Sequence, residues 1–145
     1  MNCGHIICLN GVTSSGKTSI AKEIQNISDE NYYYVAIDTF AGMANPKYLT
    51  TFESYFCELN DCISAMYSAV NTFVNLGKNV ILDTILLDTP EYPMVFQRLL
   101  NVCEGINIFA VNVTCSLDVC IKRHKERGNY HENNLCGLSG KANDY

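Results

Sequence analysis

The eight residues after the first apolar segment constrain this chain more than any other feature. They read Gly11-Val12-Thr13-Ser14-Ser15-Gly16-Lys17-Thr18, which matches the pattern G-x-x-x-x-G-K-T. An apolar segment precedes the pattern and an amphipathic segment follows it, so the loop joins a predicted strand to a predicted helix. Glycines in such a loop let backbone N–H groups turn toward phosphate oxygens, and the helix N-terminus adds its positive dipole end. The sequence therefore predicts a P-loop that binds the phosphates of a nucleoside triphosphate.

Two side chains of this loop have predicted roles of their own. We expect Lys17 to reach the β- and γ-phosphates and Thr18 to offer its hydroxyl to Mg²⁺. The loop therefore predicts a nucleoside triphosphate and Mg²⁺ as the cofactors. A chance match in a glycine turn is the alternative, and the flanking strand and helix argue against it.

Composition indicates a single globular domain over residues 1–145, with a polar lid or tail from about 128 to 145. Apolar residues make up 48% of the chain and charged residues 17%. The formal net charge of −5 disfavours nucleic acid as the main partner, since binding to a phosphate backbone is driven by basic surface. No segment approaches transmembrane length, and the N-terminus lacks the basic residues of a signal peptide. We therefore expect no membrane partner and a cytoplasmic location.

The eight cysteines favour neither a zinc site nor a disulfide scaffold. No CxxC pair occurs, and several cysteines alternate with apolar residues, as Cys8 does between Ile7 and Leu9. A disulfide scaffold is typical of shorter, loop-rich secreted chains. We interpret these cysteines as reduced and largely buried, where a thiol behaves as a small hydrophobe.

Strand and helix patterns alternate along the whole chain. Predicted strands cover 3–9, 32–37, 79–82 and 106–113, and predicted helices cover 17–27, 52–76, a segment that opens at Thr89-Pro90-Glu91, and 116 to about 127. Thr50 and Glu53 match a capping box at the start of the long helix. The Tyr32-Tyr33-Tyr34 run is interpreted as strand with one buried and two partly exposed rings, in preference to an aromatic substrate wall. Such alternation predicts an α/β fold, with a parallel sheet that has helices on both faces.

Asp83 follows an apolar predicted strand and is a candidate metal-supporting residue. An acid at the end of the strand beside the P-loop strand holds Mg²⁺ in this class of site, directly or through water. The alternative is an aspartate that caps the following loop through its own backbone.

Asp38 follows the second predicted strand, at the edge of a parallel sheet where ligands bind. A carboxylate there is placed to accept the proton of a substrate hydroxyl while that oxygen attacks the γ-phosphate. The alternative is a cap of the local turn or helix together with Thr39.

Arg123 and Arg127 lie four residues apart on one predicted helix and therefore share a face. Cations at the base of a lid stabilise the charge on a transferring phosphoryl group. The alternative for both is surface pairing with Glu126 or Asp118.

With these residues identified, the chain resembles the chloramphenicol phosphotransferase-like proteins, a branch of the P-loop small-molecule kinases. Two matching segments are more specific to this family than the P-loop is: Ile37-Asp38-Thr39-Phe40 and Glu126-Arg127-Gly128. The other matching segments are 6–11, 14–18, 79–83, 86–88, 111–115 and 137–138, with Leu117 and Arg123. The resemblance implies an adenylate-kinase-like core with a mobile lid near Arg127. It also implies transfer of the ATP γ-phosphoryl group to a hydroxyl of a small molecule, with Asp38 as the base.

Two departures from that family stand out. Its lid usually continues as Arg-Gly-Asp-Arg, whereas Arg127-Gly128 is followed here by Asn129-Tyr130. Family members also continue past the position of Tyr145 with a strand and a helix, so we expect these elements to be missing and a sheet edge to be exposed. Such an edge is a route to oligomer formation. A truncated gene product, a minimal variant and a partner-dependent protein are all consistent with this.

The leading hypothesis is an ATP- and Mg²⁺-dependent kinase that acts on a small hydroxylated molecule. A nucleoside or shikimate-type kinase on the same core is a second hypothesis. A nucleotide-binding protein without catalysis is a third, and a degraded remnant that folds poorly is a fourth. The sequence does not identify the phosphoryl acceptor.

Overall fold

A computed structural model describes residues 3–48, 51–86, 89–90 and 94–126 of the chain. Strands and helices alternate along it, which confirms the predicted α/β class. The strands are β1 (Ile6–Asn10), β2 (Tyr32–Ala36), β3 (Asn79–Thr84) and β4 (Ile108–Asn112), and the helices are α1 (Lys17–Ile27), α2 (Ile37–Ala41), α3 (Phe52–Asn75), α4 (Val95–Val102) and α5 (Leu117–Glu126). A 3₁₀ turn spans Pro46–Tyr48. The predicted tail from about 128 lies outside the described residues.

The strands form one parallel sheet in the order β2-β3-β1-β4. Strand β1 is central, and its Leu9 lies between Asp83 of β3 and Val111 of β4. The expectation that the Asp83 strand runs beside the P-loop strand is confirmed. All four strands end at the same edge of the sheet, where ligands bind in open α/β folds.

Helices α3 and α4 cover one face of the sheet. Apolar residues of α3 recur at three- and four-residue steps, so one side of the helix is continuously apolar. These residues pack against β1, β2 and β3: Ile63, Met66, Tyr67, Val70 and Val74 of α3, with Val95 and Leu99 of α4, lie against Ile6, Cys8, Val35, Val80 and Leu82.

Helix α1 covers the opposite face. Its buried Ala21 and partly buried Ile24 pack against Leu9 and Ile81, on the side of the strands that points away from α3. Successive strand residues point to opposite faces, so adjacent residues of each strand join different halves of the core. Helices therefore lie on both faces of the sheet, as the sequence predicts.

Several predicted element ends are wrong by a few residues. The capping box of α3 uses Thr51 and Ser54, whose side chains each bond the other's backbone N–H at 3.1 Å, and not Thr50 and Glu53. Helix α4 begins at Val95, after Met94, whose backbone is left-handed with φ 54°. The predicted opening at Thr89-Pro90-Glu91 is not seen at Thr89 and Pro90, and Glu91 lies outside the described residues. Strand β1 begins at Ile6 rather than Cys3, and β4 is shorter than predicted at both ends.

The helix α2 directly after β2 was not predicted. The strand pattern was expected to continue through Ile37, but the backbone turns helical at that residue. Only five residues form α2, which is too short to show a helical period in the sequence. Asp38 accordingly lies in the first turn of a helix and not at the end of a strand.

Tyr32, Tyr33 and Tyr34 are all partly buried, so the expectation of one buried and two partly exposed rings is wrong for the buried one. Within the described part of the chain, β2 pairs with β3 alone and is therefore an edge strand of the sheet. Strand β4 likewise pairs with β1 alone among the described residues, and its Phe109 and Val111 are 56% and 42% exposed. Oligomer formation through such an edge stays a prediction.

The seven cysteines in the described residues are all free thiols, and Cys8, Cys103 and Cys120 are buried. Cys62 and Cys115 are half-buried and Cys3 and Cys57 are exposed, so the expectation of burial holds for three of these seven cysteines. Their reduced state stays a prediction. None of the helices there is both long and apolar enough to cross a membrane.

Candidate nucleotide-binding site

The loop between β1 and α1 turns tightly against the end of β4. Gly11 has φ +157°, and a Cβ atom there would lie 2.4 Å from the carbonyl oxygen of Val113. Gly16, the residue before α1, has φ +112°, and Ser14 has a left-handed backbone with φ 66°. The lack of a side chain at Gly11 therefore lets the loop pass close to the carbonyl of Val113, and Gly16 adopts a backbone conformation that other residues rarely take.

The hydroxyls of Ser14 and Ser15 are buried beside the first turn of α1 without a hydrogen-bond partner among the described residues. Each serine is only 5% exposed, and buried hydroxyls are normally paired. No side chain caps the N-terminus of α1, so its first N–H groups are also available to a ligand. Unpaired donors around a helix N-terminus form an anion site, and a phosphate group is the ligand whose oxygens match them.

The ammonium group of Lys17 lies across this loop. Nζ donates to the carbonyl oxygens of Gly11 at 2.6 Å and Val12 at 3.2 Å, and it is 3.8 Å from Oδ1 of Asp83. The side chain is largely buried. A buried cation held by neutral carbonyls and one carboxylate remains able to pair with an incoming anion.

Thr18 and Asp83 meet at the start of α1. The Thr18 hydroxyl donates to Oδ2 of Asp83 at 3.0 Å, and the carboxylate is buried. Hydroxyl and carboxylate oxygens are the hard ligands that Mg²⁺ prefers. The alternative role for Asp83 as a cap of the following loop is not seen among its hydrogen bonds with the described residues.

Tyr34 joins this pair, and the sequence interpretation did not give it a role. Its hydroxyl donates to Oδ2 of Asp83 at 2.7 Å and lies 3.4 Å from the Thr18 hydroxyl. Burial is the largest cause that raises the pKa of Tyr34 to about 12; the bond to Thr18 lowers it, and the bond and charge of Asp83 raise it. No sequence signal pointed to this contact, because it depends on the register that places Ala36 opposite Asp83 in the sheet.

Asp38 lines the same cavity as the loop. The cavity is formed by Thr13, Ser14, Gly16, Lys17, Thr18, Ala36, Ile37, Asp38, Asp83 and Ile85. Asp38 itself is exposed, and the N-cap position of α2 is Ala36, where no side chain makes a capping bond. The capping alternative for Asp38 therefore finds no support in the described residues, and its carboxylate is available to a ligand in this cavity.

Arg123 reaches the loop from α5. Its Nη1 lies 3.4 Å from the carbonyl oxygen of Ser14, 3.3 Å from that of Ser15 and 3.7 Å from Sγ of Cys115. The predicted alternative, surface pairing with Glu126 or Asp118, is not formed in the described part of the chain. Arg127, the other predicted cation, lies outside the described residues.

A second, more open cavity lies on the α5 side of the loop. It is lined by Ser15, Gly16, Ser19, Ile20, Arg123 and Glu126. The loop therefore has a cavity on each side, one with the two aspartates and one with Arg123. No group of three or more His, Cys, Asp or Glu side chains within the described ranges is close enough together to hold a metal ion. A cation here would need ligands beyond the protein, such as phosphate oxygens and water.

The comparison with protein families finds a match that spans most of the chain. The family described as "Chloramphenicol phosphotransferase-like protein" matches residues 4–141. A protein of Mycobacterium tuberculosis (strain H37Rv) named "Putative O-phosphotransferase" is 27% identical over 150 aligned positions, which cover 88% of this chain. The chain spans 65% of the length of that curated relative.

Solved structures with the same fold include kinases. A "putative kinase" from Chloroflexus aurantiacus superposes with a TM-score of 0.71 at 15% identity, over 95% of this chain and 76% of the other. The Mycobacterium tuberculosis APS kinase CysC, in complex with AMPPNP and APS, superposes with a TM-score of 0.63 at 15% identity, over 91% of this chain and 79% of the other. At such identities the likeness shows the fold, and it confirms the predicted P-loop architecture.

Proposed function

The chain belongs to the chloramphenicol phosphotransferase-like family, and from that premise we propose that it transfers the γ-phosphoryl group of ATP to a hydroxyl of a small molecule. The observation that carries the proposal is the cavity in which the loop residues Lys17 and Thr18 face the same space as Asp38 and Asp83. One cavity thus combines a phosphate-binding loop, a pair of oxygen ligands for a cation and an exposed carboxylate.

Each of these groups has a place in the proposed reaction. The loop from Gly11 to Thr18 binds the β- and γ-phosphates, and Lys17 exchanges its carbonyl partners for phosphate oxygens. Asp38 accepts the proton of the acceptor hydroxyl while that oxygen forms its bond to the γ-phosphorus and the bond to the β–γ bridging oxygen breaks. Arg123 holds the loop at its α5 side and stabilises the charge of the bound phosphates. Arg127 is proposed as a second cation of this kind.

The residues present fit a magnesium ion. Thr18 and Asp83 bring a hydroxyl and a carboxylate within 3.0 Å of each other, and Mg²⁺ is commonly bound by one or two protein oxygens together with substrate phosphates and water. When bound, the ion would neutralise charge on the β- and γ-phosphates. The acceptor is proposed only as a class, a small molecule with a hydroxyl that reaches Asp38.

Thermal melting with and without Mg-ATP tests nucleotide binding first. A ligand that binds only the folded state stabilises it by about 2.7 kcal/mol at a hundredfold excess over Kd, so the melting temperature of the wild type should rise clearly. The rise should be lost in Lys17→Ala and kept in Lys22→Ala, where Lys22 is an exposed lysine of the same helix. A wild type that melts cooperatively without any shift would contradict the proposal. A screen of hydroxylated acceptors, with ADP release as the signal, then tests transfer.

A further inference from the structure

The phenol of Tyr34 reaches the carboxylate proposed to support the metal. Its hydroxyl donates to Oδ2 of Asp83 at 2.7 Å, a shorter bond than the 3.0 Å bond from Thr18 to the same oxygen. Two hydroxyls from different elements, β2 and α1, therefore converge on one oxygen of Asp83. The other oxygen, Oδ1, is the one that faces Lys17, at 3.8 Å.

The sheet register accounts for this contact. Tyr34 lies opposite Ile81, and Ala36 lies opposite Asp83, so Tyr34 points to the same face as Asp83 from two residues away. It packs with the cluster of Leu9, Ala21 and Ile81 on the α1 side of the sheet. Its neighbour Tyr33 points to the other face and stacks on Phe73 of α3, with ring centroids 5.0 Å apart.

We propose that Tyr34 is a positioning residue for Mg²⁺, which acts by holding Oδ2 of Asp83 so that the carboxylate is fixed beside the Thr18 hydroxyl. This inference rests on the proposed function, because it assumes that Mg²⁺ binds with the nucleotide. Carboxylates that support a metal are themselves oriented by hydrogen bonds, and loss of such a partner costs about 10- to 100-fold in metal affinity. Removal of the phenol oxygen leaves Asp83 with one hydroxyl donor fewer and a freer carboxylate.

Calorimetric titration with a non-hydrolysable ATP analogue tests this without reference to turnover. Wild type, Tyr34→Phe and Tyr33→Phe are each titrated in MgCl₂ and in EDTA. We expect Tyr34→Phe to lose about tenfold in affinity in MgCl₂ and to keep the wild-type affinity in EDTA. Tyr33→Phe, the same substitution on the opposite face, should match the wild type in both buffers. Tyr34→Phe keeps the ring, and melting curves verify that each variant is folded.

The Asp83→Asn background shows whether Tyr34 acts through Asp83. If it does, Tyr34→Phe should add nothing to the loss caused by Asp83→Asn. Wild-type affinity of Tyr34→Phe in MgCl₂, an equal loss in both buffers, or an additive loss in the double variant would each overturn the inference. A wild type that binds the analogue equally in both buffers would also overturn it and leave nucleotide binding intact. A wild type that binds no analogue at all would overturn the proposed function, and this inference with it.

Discussion

The hydroxyl of Thr18 donates a 3.0 Å hydrogen bond to Oδ2 of Asp83, although 65 residues separate them in the sequence. The bond forms because β3 runs parallel to β1 and Asp83 lies level with Leu9, at the edge where the P-loop begins. The carboxyl ends of parallel strands thus bring phosphate-binding and cation-binding groups together. Asp38 reaches the same edge from α2, after β2.

Asp38→Asn should remove the proposed base and leave nucleotide binding intact. An asparagine has nearly the same shape but cannot take a proton from the acceptor hydroxyl. General bases contribute roughly 10²- to 10⁴-fold, so kcat for phosphoryl transfer should fall by at least about 100-fold. The measurement is ADP release with an acceptor found in the screen, beside the affinity for an ATP analogue.

Asp29→Asn is the matched control. It is the same substitution at an exposed aspartate in the turn between α1 and β2, which does not line the cavity. It should turn over like the wild type. Equal kcat in Asp38→Asn and the wild type would show that Asp38 is not the base.

Arg123→Ala should weaken nucleotide binding. Its guanidinium lies against the carbonyls of Ser14 and Ser15 and borders the cavity on the α5 side of the loop. Loss of one charged hydrogen-bonding group corresponds to about a tenfold rise in Kd for an ATP analogue. Lys122→Ala removes the same charge from an exposed neighbour and should leave Kd unchanged. Equal Kd values for the two variants would refute the role of Arg123.

Local patterns in the sequence were sufficient to predict the sheet, the P-loop and most helices. The bounds of α1 are those predicted, because a loop with Gly11 and Gly16 fixes where the helix begins, and a polar break follows Ile27. The sequence also predicted that β3 lies beside β1, because in a P-loop site the metal-supporting acid, here Asp83, comes from the strand next to the P-loop strand. Each of these features could be predicted because it depends either on residues close together in the chain or on the P-loop motif, which occurs in one type of fold.

The contacts of Tyr34 and Arg123 were not predictable in the same way. Tyr34 meets Asp83 through the register of β2 on β3, and a hydrophobic pattern does not specify that register between distant strands. Arg123 was expected over the phosphates or on the surface, but it contacts loop carbonyls 108 and 109 residues away. The helix α2 was missed because five residues give no period to detect.

Gly11→Ala should destabilise the fold and disturb the loop. The new Cβ would lie 2.4 Å from the carbonyl oxygen of Val113, a backbone atom held in place by the end of β4. We expect a loss of about 3 kcal/mol in the free energy of unfolding, the upper end for an overpacked site, and loss of the Mg-ATP melting shift. Urea unfolding measures the first effect.

Gly105→Ala is the control for Gly11→Ala. Gly105 has φ +78° but no heavy atom within 4 Å of a Cβ there, so its substitution costs backbone strain alone, about 1 kcal/mol. It should also keep the melting shift. A loss in Gly11→Ala no larger than that in Gly105→Ala would mean that the loop moves away from β4 at little cost.

The contribution of Tyr34 to stability should disappear at alkaline pH. Burial is the largest cause that raises the pKa of Tyr34 from 10.0 to about 12. The hydrogen bond to Thr18 lowers this pKa, and the hydrogen bond to Asp83 and the charge of Asp83 raise it further. Between these values the unfolded chain has released the proton and the folded chain still holds it, so the free energy of unfolding falls as pH rises. Below pH 10 both states are protonated and the contribution is complete.

Urea unfolding of the wild type and Tyr34→Phe across this range measures that contribution as a difference. The excess stability of the wild type should be constant below pH 10 and should shrink as pH rises toward 12. The thiol of Cys8, whose pKa burial and the charge of Asp83 raise from 9.0 to about 12, also titrates here, but it is present in both proteins and largely cancels. If the difference stayed constant or grew with pH, the phenol of Tyr34 would not be held protonated beside Asp83 in the folded state.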